Sequence, residues 1–193
     1  MAFYTRKGDK GDSNMFGCKQ RFSKSSALTE ALGSLDELNS LLGICKTKAV
    51  DFKFKIKNQS IAEIIENIQN NLFIIQAKIA GADKKITEEK INEIEKIIDA
   101  IEKEMPPIKS FFIPSGTELS TFLDYARAVS RRTERRAVAY FESEKIQLAG
   151  GEARQGRPND ESLAYLNRLS SLLYALTRFV NFKLKIKEKP PLY

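Results

Sequence analysis

The sequence contains no histidine and no tryptophan, and only two cysteines among its 193 residues. Histidine is the usual general base near neutral pH, so its absence excludes serine–histidine and cysteine–histidine nucleophiles. It also leaves no plausible zinc site, because Cys18 and Cys45 are far from a CxxC spacing. Any catalysis must therefore use carboxylates, cations, positioning or a nucleophile that the substrate itself supplies.

Long apolar runs are also missing. No segment approaches the roughly 18 consecutive apolar residues that a membrane-spanning helix needs. The first residues, MAFYTRKGDKGD, lack the apolar region of a signal peptide, so we expect none. A disulfide is possible, but reduced cysteines are the better interpretation. We therefore expect a cytoplasmic protein with no membrane partner and no resident metal.

The chain is long enough for one domain with a hydrophobic core. Its net charge of +7 suits partners such as nucleotides, nucleic acid or acidic membranes. The lysines are spread out, however, and many fall within 46–57 and 183–189. A solvated surface is the simplest interpretation of those two segments.

Apolar residues recur at helical spacing over most of the chain. Residues 1–25 look irregular, and the segment 51–57, DFKFKIK, is interpreted as a linker. Ser115 and Glu118 have the spacing of a capping box that opens the fourth helix. The five predicted helices cover residues 26–48, 60–81, 87–105, about 117–145 and about 159–186.

This pattern predicts an all-α fold, a five-helix bundle with up-down topology. We expect a single domain over residues 1–193, with an N-terminal loop at 1–25 and the bundle at 26–188. A glycine-rich break, LAGGEARQGRP at 148–158, is expected between the last two helices.

The stretch RAVSRRTERR places five arginines within ten residues of the fourth helix. Like charges at helical spacing repel, and each adjacent pair costs roughly 0.2–0.5 kcal/mol on an isolated helix. Only Glu134 offers a local counter-charge. Guanidinium groups grip phosphate oxygens in a bidentate manner, so anion binding is favoured over a solvated basic face. The arginines are Arg127, Arg131 and Arg135 in one row, and Arg132 and Arg136 beside them.

The N-terminal segment TRKGDKG, followed by Ser13 and Asn14, combines cations, glycines and hydroxyls. Glycines let backbone N–H groups approach phosphate oxygens closely. The Walker pattern GxxxxGK[ST] is absent. On spacing alone, a flexible basic N-terminus is the more frequent explanation.

Three other motifs each have a structural and a functional explanation. Asp36 in GSLDELNS could neutralise an arginine without a further role. The two phenylalanines of FFIPSG could fill a core or interface, or cover an apolar ligand. Asn167 in YLNRLS is either a satisfied buried amide or a ligand contact.

In this order, TRKGDKG, GSLDELNS, FFIPSG, RAVSRRTERR and YLNRLS resemble the ATP:cob(I)alamin adenosyltransferases of the propanediol-utilisation type. That type includes the mitochondrial enzyme of vitamin B12 metabolism. The resemblance spans nearly the whole chain and implies a homotrimer of five-helix bundles, with active sites between neighbouring subunits. It also implies transfer of the 5′-deoxyadenosyl group of ATP to cob(I)alamin, giving adenosylcobalamin and triphosphate.

The resemblance also implies a role for each matching residue. Arg127 and Asp36 would bridge two subunits near the corrinoid, and Phe111 would pack against the lower face of the corrin ring. Arg131 would act in catalysis with these three, whereas Arg136 has no implied role. The residues implied to bind ATP are Thr5, Arg6, Lys7, Gly8, Ser13, Asn14, Lys24, Arg131, Arg132, Glu134, Arg135 and Asn167.

The implied chemistry agrees with the composition. Cobalt in the +1 state is itself the nucleophile, so the absence of histidine is no obstacle. Arginines and Mg²⁺ would stabilise charge on the leaving phosphates. An apolar ring below the corrin would keep the lower axial ligand away and make Co(II) easier to reduce. The product could then pass to an adenosylcobalamin-dependent enzyme.

The chain departs from the family at three points. Its loop reads TRKGDKG where many relatives read TKTGDKG, Asp124 replaces the usual histidine, and Ser171 replaces a frequent aspartate. These changes leave the fine corrinoid contacts open. The alternative is a non-enzymatic basic bundle that binds nucleic acid or carries a corrinoid. No recognition motif favours nucleic acid as a partner.

Overall fold

The computed structural model describes residues 4–14, 20–148 and 160–192, without the side chains of 144–148. Five helices account for most of these residues, which confirms the predicted helical segments. Most of the predicted glycine-rich break and Cys18 lie outside the described residues. The helices are α1 (Ala27–Ala49), α2 (Ile61–Ile79), α3 (Glu88–Glu104), α4 (Glu118–Leu148) and α5 (Glu161–Lys183).

Side-chain caps fix where the helices begin. Ser26 accepts a hydrogen bond from the Thr29 backbone N–H at the start of α1. Ser60 and Glu63 form a reciprocal capping box at the start of α2. Such caps satisfy backbone N–H groups that the first helical turn leaves unpaired.

Ion pairs between helices show the up-down arrangement. The start of α1 meets the C-terminal half of α4 and its end meets the start of α4, so these helices are antiparallel. The late part of α1 meets the early part of α2, which makes that pair antiparallel too. Helix α5 runs antiparallel to α2, since Asn71 meets Tyr165 and Lys78 meets Asp160. Helix α3 runs parallel to α5, so the five described helices alternate in direction. The pairs are Glu30–Arg136, Lys48–Glu118, Lys46–Glu66, Glu95–Arg168 and Glu104–Lys183.

The core is formed by the leucine and isoleucine stripes seen in the sequence. Helices α1, α2 and α5 contribute most of the fully buried side chains. Removing such side chains from water is the dominant favourable term in folding. Polar groups that enter the core are hydrogen-bonded in places, as where the Asn71 amide donates to the Tyr165 hydroxyl at 3.1 Å. Representative core residues are Leu35, Leu38, Leu42, Ile65, Leu72, Ile75, Leu169 and Leu173.

Two small antiparallel sheets differ from the predicted loop and linker. Strands β1 (Asp12–Asn14) and β2 (Arg21–Ser23) pair within the N-terminal segment, so that segment is only partly irregular. Strands β3 (Lys55–Ile56) and β4 (Gln59–Ser60) form a hairpin where a linker was predicted. Its two turn residues, Lys57 and Asn58, both have positive φ, as two-residue hairpin turns require. Lysine is uncommon in that conformation, so the sequence carried only a weak turn signal.

The cap of α4 also differs from the prediction. Thr117 and Ser120 cap each other, with the Ser120 N–H donating to Thr117 Oγ1 at 3.1 Å and the Thr117 N–H to Ser120 Oγ at 2.8 Å. The predicted pair is engaged elsewhere, since Ser115 bonds the Ile113 carbonyl and Glu118 pairs with Lys48. Hydroxyls compete well for helix caps, and the capping box is displaced by two residues.

Cys45 is buried with a free thiol, and burial raises its pKa to about 12. A thiol with that pKa stays protonated and unreactive near neutral pH. Within the ranges given above, no helix is long and apolar enough to cross a membrane.

Asp160 at the start of α5 gives the fold a pH-dependent contact. Its carboxylate accepts hydrogen bonds from Lys78 Nζ at 2.9 Å and from the Ser162 N–H at 2.8 Å. Burial raises the pKa of Asp160, but the bonds from Lys78 and Ser162 outweigh it and hold the pKa below its ordinary value. The contribution to stability is therefore complete above the pKa of the unfolded chain and is lost as pH falls through the folded pKa.

We expect Asp160→Asn to lower the free energy of unfolding at pH 7 by roughly 1 kcal/mol. Asparagine keeps the helix cap but lacks the negative charge that faces Lys78. Urea unfolding from pH 7 down to about pH 3 should show the two proteins converging as Asp160 becomes protonated. Asp99→Asn, at an exposed position of α3, is the matched control and should have no such effect. A difference for Asp160→Asn that stays constant with pH would contradict this account.

Candidate functional site

The structure divides the five arginines of α4 by their partners. Arg132 faces α1, where its Nη2 pairs with Glu37 at 2.5 Å. Arg136 pairs with Glu30 of α1 at 3.1 Å. The hydrogen bond to Glu37 raises the pKa of Arg132 above its ordinary value. The second arginine row is therefore neutralised by two carboxylates that lie two helical turns apart on α1.

Arg131 and Arg135 have a different environment. Both are exposed, and neither has a hydrogen bond or ion pair with a described residue. Glu134 lies between them on the same face of α4 and accepts a hydrogen bond from the Asn167 amide of α5 at 3.0 Å. These four predicted residues therefore form one surface, which we call the α4–α5 cluster: Arg131, Glu134, Arg135 and Asn167.

A residue that the sequence analysis did not assign orients this cluster. Arg168 donates to the Asn167 side-chain oxygen at 2.8 Å, and its Nε donates to Glu95 of α3 at 2.8 Å. The Asn167 amide is thereby fixed with its NH₂ group toward Glu134. The only sequence signal was the position of Arg168 directly after Asn167.

The N-terminal loop has a defined shape. Lys24 reaches back from the end of β2 and donates to the Gly8 carbonyl at 2.9 Å. A Cβ atom on Gly8 would lie 3.1 Å from Lys24 Nζ and 3.2 Å from the Asp12 carbonyl oxygen. A larger residue at this position would therefore force Lys24 or the Asp12 backbone to shift by a few tenths of an ångström. Gly11 has a φ of +84°, which turns the chain into β1.

Arg21 holds this loop together, and the sequence analysis missed it. It donates to both carboxylate oxygens of Asp12, at 2.6 and 2.5 Å, and also to the Lys7 carbonyl. The hydrogen bond from Arg21 lowers the pKa of Asp12 below its ordinary value. The pairing depends on the register of β1 and β2, which sequence alone did not reveal.

The remaining predicted loop residues are positioned for access rather than for packing. Thr5, Arg6 and Lys7 are exposed, and Arg6 lies over the ring of Tyr4. Ser13 and Asn14 belong to β1. No hydrogen bond or ion pair of the described residues joins Thr5, Arg6 or Lys7 to the α4–α5 cluster. Among the described residues, these three side chains therefore have no direct bond to the cluster.

The predicted pair Asp36–Arg127 does not form within the chain. Arg127 pairs instead with Asp124, one turn earlier on α4, at 2.7 Å. Asp36 is exposed on α1, and its neighbour Glu37 forms the ion pair with an arginine of α4, Arg132.

The two phenylalanines of FFIPSG have opposite environments. Phe111 is 78% exposed. Phe112 is half-buried, and the Arg178 guanidinium lies over its ring at 3.7 Å from the centroid. The predicted ligand-covering residue is thus the one free to contact a partner.

A groove of about 260 Å³ lies between α2, α3 and α5, and none of the predicted site residues line it. Three of its polar groups are joined by hydrogen bonds, since Lys90 donates to Asn71 at 2.7 Å and Asn71 donates to Tyr165. Among the residues that the structure covers, no group of acidic residues or cysteines could hold a metal ion. The arrangement can bind an anion at the α4–α5 cluster, on an open surface.

The described residues thus form a mostly helical bundle with an exposed arginine cluster on α4 and a basic, glycine-containing N-terminal loop. The cobalamin adenosyltransferase family profile matches residues 3–180. The chain therefore belongs to the cobalamin adenosyltransferase family.

Named relatives agree with this assignment. The chain is 34% identical over 185 residues to the corrinoid adenosyltransferase of Bacillus subtilis, covering 94% of this chain and 87% of that protein. It is 33% identical over 196 residues to human corrinoid adenosyltransferase MMAB, covering 96% of this chain and 71% of the relative. Against the PduO protein of Citrobacter freundii it is 35% identical, but it spans only about half (49%) of that protein's length.

Solved structures extend the likeness to three dimensions. A variant of the PduO-type ATP:corrinoid adenosyltransferase from Lactobacillus reuteri, complexed with cobalamin and ATP, superposes with a TM-score of 0.77. It is 30% identical, and the match covers 100% of this chain and 96% of that one. A second variant of the same enzyme, complexed with ATP, has a TM-score of 0.75.

Proposed function

We propose that this protein transfers the 5′-deoxyadenosyl group of ATP to cob(I)alamin. Membership of the adenosyltransferase family gives the reaction class, and relatives have been solved with ATP and cobalamin. The observation that carries the proposal in this chain is the α4–α5 cluster. Two uncompensated guanidinium groups on one face of a helix are suited to a triphosphate.

The reaction balances without a protein nucleophile or base. The electron pair of Co(I) attacks the 5′ carbon of ATP and forms the cobalt–carbon bond. The bond between that carbon and the triphosphate oxygen breaks, and its electron pair leaves with inorganic triphosphate. The absence of histidine in this chain is compatible with that step.

The protein's contribution is to hold ATP and stabilise the departing charge. Arg131 and Arg135 would contact phosphate oxygens, and Asn167 would fix Glu134 between them. Mg²⁺ would accompany ATP through its phosphate oxygens, because the described residues provide no acidic cluster of their own. Arg132 is committed to Glu37, so we assign it a supporting role rather than a direct phosphate contact.

The N-terminal loop would supply the other side of the ATP site. Its backbone is held in a tight turn by Lys24 and Arg21, which leaves the cations at its tip exposed. Such a turn suits approach to phosphate oxygens. The loop residues proposed to contact ATP are Thr5, Arg6, Lys7, Gly8, Ser13, Asn14 and Lys24.

A homotrimer with active sites between neighbouring subunits is the proposed assembly. Among the described residues, Thr5, Arg6 and Lys7 have no bond to the α4–α5 cluster, and Asp36 lies exposed while Arg127 pairs with Asp124. Both observations support completion of each site by a second copy. In that assembly Asp36 would face Arg127 of a neighbour, while Asp124 holds the guanidinium ready for it.

The exposed Phe111 is proposed to lie against the lower face of the corrin ring. There it would exclude the lower axial ligand and make Co(II) easier to reduce. It would assist this reduction and not the later formation of the cobalt–carbon bond. We propose that the protein works in the cytoplasm, where ATP is available. Its product would pass to an adenosylcobalamin-dependent enzyme.

The alternative, a basic bundle for nucleic acid, is weakened by the ion pairs. Arg127, Arg132 and Arg136 are each neutralised by a carboxylate, so the arginine run is not a continuous basic surface. ATP-dependent conversion of reduced cobalamin distinguishes the enzyme from a corrinoid carrier without turnover.

Arg131→Ala should reduce kcat by roughly 100- to 1000-fold, as expected when one transition-state charge contact is removed. Conversion of prereduced cobalamin, followed by its visible spectrum, measures the rate. Arg136→Ala is the matched control, because it removes the same residue type from the same helix but only breaks an exposed pair with Glu30. Full activity in Arg131→Ala would refute the role of the cluster.

Phe111→Ala should slow the reaction strongly when it starts from Co(II) and only slightly when it starts from chemically prereduced Co(I). The reason is that the ring acts on reduction of the metal. Parallel assays with the two starting states measure the ratio. Ile113→Ala, an exposed apolar residue of the same loop, serves as control. Equal slowing of both reactions would contradict the lower-face position.

Sedimentation equilibrium should give three times the 21.9 kDa chain mass for the wild-type protein. Asp36→Asn should shift the equilibrium toward smaller species, because it removes the charge proposed to face Arg127 of a neighbour. Asp99→Asn removes a comparable exposed carboxylate of α3 and should leave the mass unchanged. A monomeric wild-type protein at assay concentration would rule out the shared site.

A further inference from the structure

The segment after α5 folds back onto the loop that carries Phe111. The Ile186 N–H donates to the Asn181 carbonyl at 2.9 Å, and the Lys185 N–H donates to the Phe182 carbonyl at 3.0 Å. Together with the positive φ of Lys185 (56°), these bonds form the Schellman type of helix end, which reverses the chain. Residues 186–189 then run beside the loop 111–117.

Glu188 fastens this returning segment to the end of α5. Its carboxylate pairs with the Arg178 guanidinium and accepts a hydrogen bond from the Asn181 amide at 2.9 Å. The side chains of Arg178 and Glu188 are only 10% and 13% exposed. An ion pair removed from water to this extent is sensitive to the loss of either partner, because the other charge is left uncompensated.

The same residues also hold the Phe111 loop. The Asn181 amide donates to the Ser115 carbonyl at 3.0 Å. The Ile113 N–H donates to the Lys189 carbonyl at 2.9 Å, which ties the loop directly to the tail. Gly116 has a φ of +129°, and a Cβ atom there would lie 2.2 Å from Asn181 Oδ1. The loop can therefore dock against Asn181 only with glycine at this position.

Arg178 transmits this anchoring to the phenylalanines. Its guanidinium is stacked on the Phe112 ring at 3.7 Å from the centroid. Residues 111–113 belong to no helix or strand, and Phe112 is half-buried whereas Phe111 is exposed, so the two neighbouring rings lie in opposite environments. Fixing Phe112 inward thus keeps Phe111 pointing outward, where it is 78% exposed.

We propose that Arg178 and Glu188 form a clamp that positions Phe111. Arg178 and Glu188 are positioning residues, since they act on the corrin only through Phe112 and the loop backbone. The clamp restricts the motion of the Phe111 side chain, whatever the reaction. Its consequence for the reaction rests on the proposed function.

The chain contains no tryptophan, so Phe111→Trp introduces a single indole as a probe at the position of interest. Time-resolved fluorescence anisotropy of this variant should show a well-ordered indole. Adding Glu188→Gln, which keeps an acceptor for Asn181 but removes the charge opposite Arg178, should increase the amplitude of fast depolarisation. Arg178→Met in the same probe background should increase the amplitude of fast depolarisation further, because the stack on Phe112 is also lost.

Lys46→Met, in the same probe background, breaks an ion pair between α1 and α2 and is the control. It should leave the indole as ordered as before. An indole equally ordered in all variants would overturn the clamp. If Arg178→Met does not fold, Glu188→Gln alone decides between these results, because it changes a single atom of the side chain.

Activity assays with the native Phe111 separate the clamp from the proposed reaction. Glu188→Gln should reduce the rate from Co(II) about tenfold, less than the roughly 100-fold that a 1 Å misplacement can cost. The rate from prereduced Co(I) and the KM for ATP should change less than about twofold, since the ATP contacts lie elsewhere. Equal losses in both assays would overturn the effect on the reaction. If Glu188→Gln increases the motion of the indole but the wild-type protein has no transferase activity, the clamp is supported and the proposed function is refuted.

Discussion

Five positive charges within ten residues of one helix repel each other, and the fold compensates three of them with carboxylates. Glu30 and Glu37 are seven residues apart on α1, which is two helical turns, and meet Arg136 and Arg132 on the antiparallel α4. The phase of α1 against α4 thus determines which arginines remain available. Arg131 and Arg135, turned away from α1, are left for a ligand.

The rest of the site depends on that division. Asn167 can approach Glu134 because α5 packs against α4, which also packs against α1. Arg168 and Glu95 then fix the amide from α3. Three helices therefore contribute to one small polar surface, and a core of leucine and isoleucine side chains holds them in place. In the proposed reaction this surface supplies charge at the triphosphate, while the attacking electron pair comes from cobalt.

The helices and the arginine face could be predicted from sequence because both follow from a period of 3.6 residues. The partners of side chains across helices could not be predicted, because they depend on how the helices are aligned. Asp36 seemed able to neutralise an arginine, yet within the chain Glu37 is the residue that pairs with one. Arg21 and Asp12 were invisible for the same reason, since their pairing requires the small sheet of β1 and β2. The anchoring of the tail could not be predicted either, because Glu188 meets Arg178 and Asn181 only after the chain reverses at the end of α5.

The central claim is that the protein itself performs the adenosyl transfer, and one measurement tests it most directly. Purified protein is mixed anaerobically with prereduced cob(I)alamin, Mg²⁺ and ATP, and the visible spectrum is recorded against time. The account predicts ATP-dependent loss of the Co(I) spectrum, with appearance of light-sensitive adenosylcobalamin and one triphosphate for each cobalamin consumed. A spectrum that shows cobalamin bound but unchanged in the presence of ATP would contradict it.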